Sequence, residues 1–209
     1  MGKNPINGTQ ANTPTDITDK YFELGGSNTT PSVATNATFD QSSPIQDSIT
    51  ALQLADADLQ VYENPTLGVK ILYPKGWNST EDKSTRYSVV TFLSPQESGS
   101  GTIQEKFLLR INNEPTDMTF DEYTKNVNES VQNNSNFQVT NTNSTVLANN
   151  PAFSVTGIQK EGDKNLQVLD EWTIKDGKVY RIVFYSDPGK ADSFEPLVQK
   201  ILGSFILTN

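Results

Sequence analysis

The chain has 209 residues, 34% of them hydrophobic, a formal net charge of -9, and neither cysteine nor histidine. That charge excludes phosphate-driven binding of DNA or RNA and disfavours an anionic membrane surface. The missing residue types exclude disulfides, thiolate nucleophiles, a Ser-His-Asp triad and any His or Cys metal site, while the length suits one ordinary domain with a tail.

The first 44 residues are rich in Asn, Thr, Ser, Pro and Asp, with Tyr21-Phe22-Glu23-Leu24 as their one apolar island. Such a stretch cannot bury enough surface to offset its ordering entropy, so it reads as a disordered acidic leader. It lacks the apolar core of a signal peptide, and no run in the chain approaches the roughly 18 apolar residues that span a bilayer. An export signal or anchor would have to precede this numbering. Residues 45–60 place Ile45, Ile49, Leu52 and Leu59 near helical spacing behind Asp47 or Ser48, which predicts a docking helix or linker. The folded domain is expected over 61–209.

From Val61 onward strand and turn signals dominate. Val69–Tyr73 and Ser88–Leu93 are short β-rich runs closed by Pro74 and Ser94-Pro95. Lys106–Ile111 follows, with Phe107, Leu109 and Ile111 on one face. Thr119 and Glu122 form a capping box for a helix whose stripe is Phe120, Tyr123, Val127 and Val131. Phe137 with Val139, and Val146 with Leu147, read as short edge pieces before Asn149-Asn150-Pro151 turns the chain. Three meander strands near 152–160, 165–174 and 178–186 are joined by Glu161-Gly-Asp-Lys and Lys175-Asp-Gly-Lys. A last helix carries Phe194, Leu197, Val198, Ile201 and Leu202, capped by Asp192 or Ser193 and ended by Gly203. Tyr180, Ile182 and Phe184 alternate with Val179, Val183 and Tyr185, so both faces of that strand are covered. The expected fold class is α+β, an α-β-α sandwich whose central antiparallel sheet has helices on both faces.

Two stretches then carry a family pattern. Tyr62-Glu-Asn-Pro, Gly68-Val-Lys-Ile before Tyr73-Pro74, and Trp77 resemble the opening of PsbP-like domains, especially the stand-alone versions of ammonia-oxidising archaea. Asn150-Pro-Ala-Phe153, Trp172-Thr-Ile, Asp176-Gly-Lys-Val-Tyr180-Arg-Ile and Ile201-Leu-Gly-Ser204-Phe205 resemble the later strands and terminal helix of the same family. The resemblance covers about 60 to 209 and implies the Mog1/PsbP-type fold. It also implies a non-catalytic accessory role beside a protein partner in a membrane or envelope complex. Photosynthetic members help photosystem II retain calcium and chloride, so calcium is a cofactor expectation by resemblance only.

Seven Asn-x-Ser/Thr sequons, at Asn7, Asn28, Asn36, Asn78, Asn128, Asn133 and Asn143, favour an exported and glycosylated surface protein over a plain Asn/Thr-rich surface. The weak metal candidates are Asp187 and Asp192 in one loop and the acidic Asp56, Asp58 and Glu63, none with EF-hand spacing. Carboxylates are the only acid/base chemistry left. Asp170 and Glu171 are neighbours in a strand, point to opposite faces and read as surface or turn-facing charges, whereas Asp117, Asp121 and Glu122 start a helix where negative charge is favoured anyway. Tyr73, Trp77 and Trp172 read as core packing rather than a ligand platform. No catalytic residue is assigned. The leading reading is a non-catalytic binding or accessory module outside the cell membrane. The alternatives are a carboxylate-dependent hydrolase and a cytoplasmic, Mog1-like regulator of a small GTPase.

Overall fold

A computed structural model describes residues 58–84, 87–97, 103–113 and 118–208. The expected leader and all but the last residues of the expected 45–60 helix lie outside that set. Leu59 and Gln60 belong to a strand, β1 (Leu59–Asn64).

The aromatic-rich opening stretch folds on itself. β1 pairs antiparallel with β2 (Val69–Pro74) around a turn in which Asn64 Oδ1 accepts from Leu67 N and Gly68 sits at φ +69°. The chain then builds β3 (Asn78–Lys83), β4 (Tyr87–Leu93), β5 (Lys106–Asn113), helix α1 (Phe120–Gln132), β6 (Phe137–Leu147), β7 (Asn150–Glu161), β8 (Lys164–Lys175) and β9 (Lys178–Ser186). A single 3₁₀ turn at Pro188–Lys190, helix α2 (Ala191–Gly203) and β10 (Ile206–Leu207) complete it. The seven-stranded sheet runs β3-β4-β5-β9-β8-β7-β6, with every pair antiparallel, and the three-stranded sheet runs β1-β2-β10.

The expected sandwich, one sheet with helices covering both faces, does not form. One face of the large sheet is covered by a second sheet with α2 beside it, because Val69 and Ile71 of β2 are completely buried against Val90, Phe92 and Phe107. Tyr73 meets the Phe92 ring at a tilt at 4.7 Å, and Tyr62 meets it edge-on at 5.5 Å. α2 adds Phe194, Leu197 and Ile201 to the same core, with Phe194 5.9 Å from Phe184. The opposite face carries α1 alone among the described helices. Tyr123 meets Trp172 edge-on at 6.3 Å, and Trp172 Nε1 donates to Thr124 Oγ1 at 3.1 Å.

Local rules explain most boundaries. Thr119 caps α1, its Oγ1 accepting from Glu122 N at 3.2 Å while Glu122 accepts from Thr119 N at 3.0 Å, and burial falls on Tyr123, Val127 and Val131. Asp176 and Gly177, both at positive φ, make the β8–β9 hairpin turn. Three details differ from expectation. β3 was without a hydrophobic signal because Asn78–Lys83 is exposed throughout, an edge strand held by backbone pairing to β4. Phe137–Leu147 is one strand rather than two edge pieces, its alternation broken by an irregularity between Val139 and Asn141. α2 is not capped by Asp192 or Ser193: Lys190 occupies the N-cap without a side-chain bond, and Ser193 Oγ donates back to the Lys190 carbonyl.

The C-terminal end of α2 is tied to the small sheet. Ser204 Oγ donates to the Ile201 carbonyl and accepts from Leu72 N of β2 at 2.9 Å. Beyond it β10 pairs with Lys70 and Val69, and Thr208 N donates to the Gly68 carbonyl at 2.9 Å.

Candidate functional site

α2 covers the β5–β9 part of its face and leaves a cleft of about 680 Å³ between one side of the helix, from Ala191 to Gly203, and strands β6 to β9. The register sets the floor. Asn143 on β6 stands opposite Ser154 on β7, and Ser154 opposite Glu171 on β8, so these three share one face in a row. A second row runs Asn141, Thr156, Leu169, Phe184, and a third ends in Gln167 and Ser186. Asp192, Glu195 and Gln199 of α2 form the facing wall. The side chains are short, polar and mostly uncharged because the β6–β7 ribbon is built from Asn, Ser and Thr, which satisfy the pleat without demanding an apolar cover.

Two polar groups in this lining are out of place. Glu171 is 6% exposed, and burial, followed by the charge of Asp170 on the same strand, pushes its carboxyl up to about 7. Among the described residues its carboxyl has no hydrogen-bond or ion-pair partner. Ser186 is 1% exposed and its Oγ has no partner either. Buried polar groups are ordinarily hydrogen-bonded, so two orphans facing one cavity need an explanation. The described lining includes Glu171, Asp192 and Glu195 and no Lys or Arg, which makes the cleft acidic.

Asp170 points the other way, as expected, yet it is buried too: both carboxyls belong to the interior, correcting the expectation of surface or turn-facing charges. Asp170 accepts from Arg181 Nε at 2.5 Å and pairs with its Nη2, while the guanidinium lies 5.6 Å from the centre of the Trp172 ring. The pair needs that second contact because an ion pair so deeply desolvated is held by its geometry.

The metal candidates separate. Asp187 Oδ1 accepts from Gly189 N at 2.8 Å and caps the 3₁₀ turn, while Asp192 lines the cleft. Asp58 and Glu63 pair with Lys75 and Lys70 at 2.9 and 3.4 Å; Asp56 and Asp117 lie outside the described residues. Among the described residues no three His, Cys, Asp or Glu side chains converge for a metal. Of the sequons, Asn143 is exposed on β6 at the cleft, Asn78 is exposed on β3, Asn133 is exposed after α1 and Asn128 is half-buried on α1. Asn7, Asn28 and Asn36 lie outside the described residues.

The family-motif residues lie in the strands, turns and core of the domain. Tyr62 donates to Glu81 at 2.6 Å, and burial raises its hydroxyl to about 12. Trp77 and Trp172 are buried, Tyr180 packs on Phe205 at 6.3 Å, and Pro74 closes β2. Gly68 is required twice over, by its positive φ and because a Cβ there would stand 2.8 Å from the Thr208 carbonyl oxygen.

This arrangement of a short N-terminal ribbon, a long meander and a closing helix has relatives. The family model described as "PsbP-like protein" matches residues 33–207. The chain belongs to the PsbP-like family. The PsbP-like fold is also found in the solution structure of cyanobacterial PsbP (CyanoP) from Synechocystis sp. PCC 6803. That structure is 21% identical, with a TM-score of 0.55 over 72% of this chain and 93% of the other. LpqN of Mycobacterium tuberculosis, described as involved in cell envelope biogenesis, is 13% identical with a TM-score of 0.51 over 75% and 95%. No curated protein matches the chain. At these identities the two structures establish the PsbP-like fold, and the cleft residues stand on this chain alone. Sequence patterns do not single out Ser154, Ser186 or Gln167, because a hydroxyl or amide in a strand carries no sign of which neighbour it lacks.

Proposed function

We propose that this PsbP-like domain acts without catalysis, as a binding or accessory module at the outer side of the cell membrane or envelope, and that it holds its ligand or partner group in the β6–β9/α2 cleft. The observation that carries the reading is one polar cavity, of a size in the ligand-pocket range, lined by the Ser186 hydroxyl, buried without a partner, and by the buried Glu171 carboxyl, which has no partner among the described residues. The accessory role accords with the family, and the envelope setting accords with the printed role of LpqN and with the sequons. No helix among the described residues is long and apolar enough to cross a membrane.

The test is intact mass and surface-protease accessibility of the protein in its native cells, combined with cross-linking from a photoreactive residue at Gln199. Hexose-type added mass, cleavage from outside and one dominant cross-linked partner are expected. An unmodified, protease-protected protein without a cross-linked partner would overturn the reading. The second reading, a carboxylate-dependent hydrolase, is favoured by the Glu171 carboxyl lying near neutrality, where a general acid or base works best. It requires turnover on a carbohydrate or ester panel that Glu171→Gln abolishes.

A further inference from the structure

We propose that the cleft is a receptor for an organic cation, an ammonium or guanidinium group, which enters along Asn143 and Ser154 and is held by the Glu171 carboxylate. The inference rests on the reading of the domain as a binding module and names the chemistry of what it binds.

Three observations carry it. The described charged groups of the lining are all carboxylates, so a phosphate, sulfate or carboxylate ligand would meet only repulsion in a chain already at -9. The row Asn143, Ser154, Glu171 crosses from the exposed edge strand to the buried carboxyl, two strand spacings or about 10 Å. It offers oxygen acceptors at each step, matching a cation with several N–H donors. The third observation is the partnerless state of the carboxyl itself. A carboxylate buried to 6% exposure without a donor is disfavoured, and an entering cation that donates hydrogen bonds to it offsets part of that cost. A metal ion is the poorer match, since three convergent ligands are absent among the described residues. Ser186, at the far end of the floor, supplies a hydroxyl for the other end of a longer amine.

The groups facing Glu171 fix the sign of the pH dependence. α2 presents Asp192 and Glu195; β6, β7 and β9 present no titratable side chain to the described lining; and Asp170 acts from behind on β8. All are acidic. Binding therefore strengthens as pH rises from 6 to 8 and Glu171 ionises, and the bound cation in turn favours the ionised form.

The test titrates the full chain with agmatine, cadaverine and an acetylated Gly-Arg-Gly amide, using calorimetry and backbone NMR at pH 6 and pH 8. 1,5-Pentanediol serves as the uncharged control. Saturable amine binding at pH 8 is expected, with shifts on β7, β8 and the first turn of α2, weaker at pH 6. Glu171→Gln should weaken it on the order of tenfold, the worth of one charge-assisted hydrogen bond. Glu195→Gln, an exposed helix position that leaves the fold untouched, should weaken it less, while Asp163→Asn in the distant β7–β8 turn stays within about twofold of wild type, as expected for a screened charge. Tighter binding of the arginyl peptide than of agmatine identifies a partner's basic side chain as the source; the reverse identifies a free amine. Equal affinity in wild type and Glu171→Gln, equal binding of pentanediol, or no saturation by amines at concentrations on the order of 10 mM would overturn the proposal. If those results came with a Gln199 cross-linked envelope partner, the accessory function would stand and the cation chemistry alone would fall.

Discussion

Replacing Glu171 with glutamine should make the protein more stable, and only above the acid range. In the folded chain the carboxyl is raised from its ordinary 4.5 to about 7, first by burial and then by Asp170. The unfolded chain gives up that proton near pH 4.5, while the folded one keeps it to about 7. The stabilising contribution is fully present below about 4.5 and is lost as pH rises through about 7. At 1.36 kcal/mol per pH unit the window corresponds to a ceiling of about 3 kcal/mol, which solvent at the cleft mouth reduces to about 2 kcal/mol. Glutamine keeps the shape and cannot ionise. Urea unfolding of wild type and Glu171→Gln at pH 4.5, 6 and 8 isolates the effect, since every other titrating group is common to both proteins. The variant should gain about 2 kcal/mol on wild type between pH 4.5 and pH 8, or roughly 4 to 8 °C in Tm for a domain of this size. A difference that stays constant across the pH range would refute a buried, partnerless Glu171, and with it the electrostatic reading of the cleft.

Other predictions follow from the remaining contacts. Gly68→Ala, forced to a positive φ and into the Thr208 carbonyl, should lower the unfolding free energy by about 2 kcal/mol or more, read as a drop in urea midpoint without a change in slope. Arg181→Met alone leaves Asp170 buried without its cation and should cost about 3–5 kcal/mol, whereas the double change Asp170→Leu with Arg181→Met should recover most of that loss; additive costs in the double-mutant cycle would contradict the coupling. Thr119→Ala removes the cap of α1 and should cost about 1 kcal/mol, with hydrogen exchange accelerating in the first turn of that helix before anywhere else.

Where local chemistry decides the structure, the sequence was legible. Thr119 and Glu122 mark the start of α1 because a capping box needs only four residues, and Asp176-Gly177 marks its hairpin because positive φ at both positions suits so few side chains. The layers were less legible. The Val69–Pro74 run has the same β signature whether it joins the main sheet or starts a second one, and the choice is made by Ile206 and Leu207, which lie across the chain from it. β3 shows no periodicity to read, since neither of its faces is buried. The candidate site suffers from a related gap. The opposite facing of Asp170 and Glu171 follows from the strand alone, but the burial of both follows from β8 being interior to the sheet, with Arg181 behind one and the cleft before the other. Asp187 and Asp192, weak metal candidates by sequence, take different places: Asp192 lies on the cleft wall, and Asp187 accepts from Gly189 N in its own turn.

The stitching of β2 to the chain's closing residues sets the order in which the molecule can be completed. The bond from Leu72 N to Ser204 Oγ joins residues 132 positions apart, and β10 is the strand that completes the small sheet. A two-stranded ribbon is marginal by itself in water. On the ribosome, β1 and β2 emerge before the strands and helix they pack against, so Val69 and Ile71 stay exposed until α2 and β10 have been synthesised. Such non-local closure is slow, and it makes this ribbon the segment that a nascent-chain chaperone would shield longest.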